Sequence, residues 1–446
     1  MKKIILAIMF FGSLALLGQG QIDKNHDLKS NSNGVKENNE KKENCNNEKI
    51  EKSIKSLKEE VEELKKFKTK QEIRALRQEA LEADKEKKDE FDLNKTFSGG
   101  QTAQQALNPE ISVVVDMGFK AKIDNPPSNG HDRSGAYFRV AGFHIQSDLD
   151  PFSKTFLGIE VHPEGVELGE AFIDWSGIVP SLTIRVGKFL QNFGIINRWH
   201  MPSMDQFDNP LAPGVLLGGK LNSYGVSVHW MMPSLWADGN ELFLEITNSS
   251  NAKLFGGENF SPIPSSLLRV VSYYDLGKSA YINLGFSAMA GPNNPYHGFD
   301  SEGKPLNEDL RFTYVGGVDL TFLYENPQTA KTNSWLWRSE GYFVDKKLKG
   351  SKEIKAYGFY SYLEKKVSER VSLGVRFDLT QPFDENNDEK YLYQVVPYLT
   401  FMESPWVKMR LQYNFKDAVN MKDIKREHRV VLQFIWAAGP HKHERY

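Results

Sequence analysis

Between residues 111 and 436 lie repeated segments in which apolar side chains recur at every second position. The stretch WVKMRLQYNF (406–415) sets Val407, Met409, Leu411, Tyr413 and Phe415 against Lys408, Arg410, Gln412 and Asn414. Successive side chains of a strand point to opposite faces, so the segment predicts a strand with one apolar and one polar face. RFTYVGGVDLTFLY (311–324), SWLWRSEGYFV (334–344), VSLGVRFDL (371–379), SLTIRVGKF (181–189) and HRVVLQFIW (428–436) repeat the pattern. Turn residues separate these windows, as at Asp275–Gly277, Pro382–Asp388 and Ser404–Pro405. Counting them gives about sixteen strands. The connections alternate in length: LGKS (276–279) and SERV (368–371) are tight, GPNNPYHGFDSEGKPLNEDL (291–310) and QPFDENNDEK (381–390) are long.

Alternation alone fits a soluble sandwich or a membrane barrel. A sandwich core would demand a partner for every Arg, Lys, Asp and Glu on its inner face. A water-filled lumen makes no such demand, and short turns on one rim with long loops on the other is the outer-membrane habit. The expected fold is all-β: a transmembrane antiparallel β-barrel of about 16 strands over residues 99–446, preceded by an α-helical coiled coil.

The period is different ahead of the barrel. In residues 49–91, Ile50, Ile54, Leu57, Val61 and Leu64 alternate spacings of four and three, and after a break near Phe67–Gln71 the seam resumes at Ile73, Leu76, Ala80 and Ala83. That is a coiled-coil seam, stuttered once, which needs partner helices and so implies a homo-oligomer. Residues 21–48 hold too few apolar side chains to bury and are expected to be a disordered polar linker. Residues 1–20 pair Lys2 and Lys3 with an apolar run from Ile4 to Leu17 and then small residues, a signal-peptide pattern. The run is short for a membrane helix of about 20 residues.

Composition narrows the classes. Fifty-six basic residues against 58 acidic ones give a net charge of -2, which offers no basic stripe for nucleic acid. The mean hydropathy of -0.49 excludes a helical membrane protein but not a barrel with a polar lumen. Cys45 is the single cysteine, so neither an internal disulfide nor a CxxC motif is available. No G-x-S-x-G, HExxH or phosphate-cradling glycine loop occurs, so the reading is not an enzyme, with no cofactor. His441 and His443 could chelate a metal, but no further ligand accompanies them and a solvated terminus is the better reading.

One region breaks the rhythm. LQNFGIINRWHMPSMDQFDNPLAPGVLLGGKLNSYG follows the strand ending RVGKF, and it is too apolar for an exposed loop. It is expected to fold inward near 189–221 and narrow the lumen. Gly187 and Gly194 would serve a bend or close backbone approach, and Gly218 and Gly219 the re-entry into the wall.

At this point the chain resembles the phosphate-selective porin O and P superfamily. The matching residues are NPEISVVVD (108–116), GEAFIDW (169–175) and RVGKFLQNFG (185–194), followed by Asn197 and His200, with Gly187, Lys188, Phe189, Phe193 and Gly194 as the core of the motif. The resemblance covers roughly residues 100 to 446. It implies a sixteen-stranded trimeric barrel whose constriction selects anions through stacked arginines and lysines. This chain departs from that pattern: its loop carries Arg198, His200 and Lys220 but also Asp205 and Asp208. Its inner faces mix Arg139, Arg185, Arg338, Arg376, Lys408 and Arg410 with Asp174, Glu245, Asp319, Glu340 and Asp378.

Candidate constriction residues are therefore Lys188, Arg198, His200, Asp205 and Asp208. The bland alternatives are a rim salt bridge from Lys188 or Arg198 to Asp205 or Asp208, or the two aspartates bracing the loop against wall residues such as Arg185. Candidate lumen charges are Arg185, Arg338, Glu340, Arg376, Asp378, Lys408 and Arg410. The expected function is a porin in the outer membrane of a Gram-negative-type bacterium, passing small hydrophilic solutes, including anions such as phosphate. Lipid and further copies of the chain are its partners. The trimer is implied by the coiled coil and the resemblance together, since heptads alone also fit dimers. The coiled coil would stand in the periplasm. The alternative is a structural or adhesive barrel with a closed lumen and a coiled-coil stalk.

Overall fold

The computed structural model describes residues 109–123, 134–256, 263–294, 309–421, 424 and 426–439. The expected signal peptide, linker and coiled coil, and the tail histidines, lie outside these residues.

Sixteen antiparallel strands form one closed barrel in which each strand pairs with its sequence neighbours and the last returns to the first. They are β1 Glu110–Lys122, β2 Gly135–Asp148, β3 Ser153–His162, β4 Gly165–Ser176, β5 Leu182–Leu190, β6 Asn222–Met232, β7 Gly239–Thr247 and β8 Ser265–Asp275. The second half holds β9 Ala280–Pro292, β10 Phe312–Glu325, β11 Ser334–Lys347, β12 Glu353–Lys366, β13 Val371–Thr380, β14 Tyr391–Ser404, β15 Val407–Val419 and β16 Glu427–Ala438. β1 closes on β16 over ten pairs, from Val113↔Ala438 to Lys122↔Arg429. Closure leaves no strand edge with unpaired backbone groups, which is what makes a sheet tolerable in lipid.

The faces sort as the alternation predicts. On β15, Arg410, Gln412 and Asn414 are buried inside while Leu411 is 49% exposed outside. On β10, Asp319 and Thr321 point in and Tyr314 and Val318 point out. Outward aromatics gather at both ends of the wall. Trp230, Trp236, Tyr273, Trp406 and Trp436 lie near the short turns, and Phe119, Phe138, Tyr224, Tyr314 and Tyr357 near the long loops. Val318, Phe286, Val375 and Leu411 fill the band between. An apolar belt between two aromatic girdles is the surface that a bilayer requires.

The connections divide by rim. On one rim they run from two residues (405–406) to eight (326–333). On the other stand 191–221, 248–264 and 293–311, but also the two-residue turn Pro163–Glu164 between β3 and β4. The wall is therefore low beside β3 and β4. A bulge at Gly169 shifts the register between β3 and β4. Without it Glu170 would share the outward face of Val166 and Leu168; with it, Glu170 turns inward.

Val318 stands at mid-height of β10 on the outer face, 53% exposed. Val318→Arg is expected to cost about 2–4 kcal/mol in urea unfolding from lipid vesicles, while Val318→Leu stays near wild type.

The inward loop and its vestibule

Residues 191–221 leave β5, cross the lumen and return to β6. Prolines 202, 210 and 213 and the lack of any sustained period prevent regular structure, so the segment advances through short turns at Ile196–Arg198, Met201–Ser203 and Pro213–Leu217. Asn197 closes its neck: Nδ2 donates to the carbonyls of Gln191 (2.8 Å) and Leu221 (3.0 Å), and Oδ1 accepts from the Leu221 amide (2.7 Å). Gly194 adopts φ 63°, and a Cβ there would collide with the Glu340 carboxylate. Glycine is thus required by both conformation and space.

The loop carries its own apolar core into the barrel. Phe193, Ile196, Trp199, Met204, Leu216 and Leu217 pack against Val315, Tyr342, Val344 and Tyr360 of the wall, with Leu254 and Phe255 added from a short helix, Ala252–Phe255.

Polar tethers reach the wall on nearly every side. Glu245 of β7 accepts from the amide (3.1 Å) and side chain (2.7 Å) of Asn192. Glu340 of β11 accepts from the Ile196 amide (2.9 Å). Arg338 of β11 donates to Asp205 (3.0 Å) and lies over the Trp199 ring (4.5 Å). Arg376 of β13 donates to the Asp208 carbonyl (2.8 Å), and Arg410 of β15 to that of Met204 (3.0 Å). Arg429 of β16 pairs with the Asp208 carboxylate (2.5 Å), and Phe207 sits against Arg139 of β2 (4.4 Å). Under the loop Arg376 and Asp378 are 0% exposed and Glu340 and Arg410 2%, while Asp205, Asp208, Arg139 and Arg429 are only partly covered. Residues 191–221 thus occupy the lumen at this height.

This corrects the expectation that inner-face charges stand in water without partners. Arg338, Glu340, Arg376, Asp378 and Arg410 do face inward, but each is buried and held by the loop or a neighbour. Arg376 pairs with Asp378 (2.9 Å), and deeper still Arg269 pairs with Asp319 (2.5 Å). Lys408 reaches the Pro202 carbonyl at 3.4 Å. Arg185 makes a two-pronged pair with Asp174 (2.7 and 2.8 Å) and covers Phe172 (3.8 Å), away from the loop aspartates.

The five constriction candidates separate. Asp205 and Asp208 come together with the wall as braces, although their partners are Arg338, Arg376 and Arg429 rather than Arg185. Arg198 lies in the first turn of the loop, its charge within reach of Glu241. Lys188 does not join the constriction. It stands in register with the outward Tyr224. The β4–β5 ladder ends at Ala171↔Lys188, and Lys188 Nζ donates to the freed carbonyl of Leu168, 3.8 Å from Glu167.

His200 belongs to a different place, beside the low β3–β4 rim. Its Nδ1 bonds Glu160 (2.9 Å) and its Nε2 bonds Glu170 (2.8 Å). Burial by itself favours a neutral ring. The two carboxylates outweigh it, and the His200 pKa rises to about 9. Both ring nitrogens then donate, and the imidazolium clips the loop to β3 and β4. Burial pushes Lys220 the other way, down to about 8, against the pull of the same glutamates. Next to this clip lies a cavity of about 610 Å³ lined by Glu160, His162, Glu167, Lys220 and Asn222 among others. Sequence reasoning missed Glu160, Glu170 and Asn197 as a set. Glu170 in particular was hidden by the bulge, which no alternation pattern announces.

No family model matches the chain. An uncharacterized protein of Aquifex aeolicus (strain VF5) is 24% identical over 381 residues, 76% of this chain and 80% of that protein. Among solved structures, the trimer form of OmpT, an outer membrane protein of Vibrio cholerae, is 10% identical with TM-score 0.48, covering 74% of this chain and 99% of its own. An anion-selective porin from Comamonas acidovorans gives 10% identity, TM-score 0.49 and the same coverages of 74% and 99%. The outer membrane channel DcaP of Acinetobacter baumannii gives 12% identity and TM-score 0.49, with coverages of 74% and 97%.

Two outcomes follow for the loop. Arg338→Ala takes the cation from the part-buried Asp205, which keeps the Tyr362 hydroxyl, a loss of about 1–3 kcal/mol, borne by the loop because the strand ladders are untouched. Amide exchange over 196–210 should accelerate strongly with heat-modifiable mobility unchanged, and the double variant Arg338→Met with Asp205→Leu should recover part of the protection. The His200 clip is a raised-pKa contact, so it is complete below the ordinary histidine value near pH 6.5 and is lost as pH rises through about 9. Protection factors of the 198–201 amides, which remove the intrinsic base-catalysed rise in exchange, should fall across that window in wild type. In His200→Gln this step should be missing, with the Lys220 contribution left in both.

Proposed function

We propose that this protein is an outer-membrane channel of the porin type, closed in the described state by residues 191–221 and permeable to small hydrophilic solutes when that loop withdraws. The observation that supports this reading is the chemistry of the seal. Both the loop and the wall meet through charges: Asp205 with Arg338, Asp208 with Arg429. A permanent plug has no need of them, since exchanging buried ion pairs for well-packed apolar groups is often neutral or stabilising. Charged faces on both sides suit a structure in which water replaces the contact.

The apolar belt and aromatic girdles support the outer membrane as the location. An even strand number brings both ends of the barrel to the short-turn rim, which is periplasmic in such barrels. The heptad spacing of residues 49–91 supports reading them as a trimeric coiled coil in the periplasm. Anion or phosphate preference would need a ring of one sign. The paired charges of this constriction argue for weak charge selectivity instead.

A second reading, a structural barrel with a permanently closed lumen, is favoured by the burial of Arg376, Asp378, Glu340 and Arg410 beneath the loop. Planar-bilayer recording of the mature protein in asymmetric potassium chloride separates the two. We expect gated steps with a reversal potential near zero, little block by added phosphate and a higher open probability in Arg338→Ala. A folded barrel that never conducts, in wild type or in Arg338→Ala, would move the conclusion to the structural reading.

A further inference from the structure

Two residues that line the cavity beside the low rim carry buried polar atoms without a hydrogen-bond partner, Lys220 at Nζ and Asn222 at Oδ1. They lie two positions apart where the loop rejoins the wall. Asn222 cannot simply turn to relieve its oxygen, because its Nδ2 is fixed on the Gly169 carbonyl at 2.7 Å. Leaving such groups unmade costs about 1–3 kcal/mol each, more for a charged one. Surface glutamates alone would mean nothing here, but this pair points to a missing ligand.

The surroundings restrict its chemistry. An anion would suit Lys220 but would meet the carboxylates of Glu160, Glu164 and Glu167, which line the same cavity, and the unsatisfied Asn222 oxygen. A cation would suit those oxygens but would meet Lys220 and the His200 imidazolium. A hydroxyl group accepts from the ammonium and donates to the amide oxygen, and brings no charge. Vicinal hydroxyls can further donate to the glutamates, while Leu190 and Met201 offer apolar surface for ring C–H groups. The volume, about 610 Å³, falls within the range of small-molecule sites of about 300–1,000 Å³.

We propose that this cavity is a binding site for a neutral polyhydroxylated molecule, a carbohydrate of one or two rings, anchored by Lys220 and Asn222. As a solute subsite it rests on the channel reading; as a binding site it needs only the cavity, so binding and conductance can fail separately. The same hydroxyl chemistry is presented by a free sugar and by the sugar headgroup of an outer-leaflet glycolipid, and we commit to the free sugar.

The test is equilibrium binding of maltose to the purified full-length protein in detergent, by calorimetry, with potassium phosphate and arginine as charged controls. Saturable maltose binding in the millimolar range is expected, with no competition from either control. Lys220→Met and Asn222→Ala, checked for heat-modifiable folding, should each weaken it at least about tenfold. If wild type fails to bind maltose but binds purified lipopolysaccharide, and Lys220→Met abolishes that, the ligand is a lipid headgroup and the free-sugar assignment falls. Binding of phosphate at this site, or of neither sugar source by wild type, overturns the proposal whatever the variants do.

Discussion

A sheet of sixteen strands closes into a cylinder too wide for its own inward side chains to meet across the axis. That geometric constraint governs the rest of this molecule. In small barrels the wall fills its own interior. Here something else must occupy it, either water or chain. Residues 191–221 supply chain, and their unusual composition follows from that duty. A loop on the surface would not hold Phe193, Trp199, Met204, Leu216 and Leu217; one that must build an apolar core inside a polar cylinder needs them.

The inner wall was nonetheless made for polar company, and the seal is a compromise between the two. Apolar contact is concentrated in the sector from β8 to β12, where Leu267, Met289, Val315, Tyr342, Val344 and Tyr360 lie. Elsewhere the loop meets the wall through Asp205, Asp208 and backbone amides and carbonyls. Buried ion pairs give back in Coulomb attraction roughly what they lose in desolvation. Such a contact holds geometry tightly while adding little net stability, so the apolar core of the loop carries most of the net attachment to the wall. The neck formed by Asn197 keeps both ends of the loop together, which confines any movement to the span between.

The low rim at Pro163–Glu164 gives the lumen a one-sided entrance. There the β4–β5 ladder stops, the bulge at Gly169 turns Glu170 inward, and His200 clips the loop to two strands. The unsatisfied Lys220 and Asn222 lie at the same place. A short turn, a bulge and an unzipped ladder are each minor departures from regular barrel geometry. Together they border a cavity of about 610 Å³.

The sequence by itself determined the wall. Period-two alternation specified which side chains face lipid and which face inward, and alternating connection lengths specified the two rims, because both are local properties of a strand and its turns. It also marked 189–221 as an inward segment, since so many apolar residues without a period have no place in solvent. Tertiary structure alone decided what the inward charges do. Arg338 and Asp205 are 133 positions apart, and Arg429 and Asp208 are 221 apart. Nothing local pairs residues at such separations, and so the rows that read as a wet lumen proved to be the sockets of a seal. Lys188 shows the limit from the other side: its motif is plain in the sequence, but the point at which a ladder ends is set by how neighbouring strands diverge, and that placed its ammonium on a freed carbonyl rather than in the constriction.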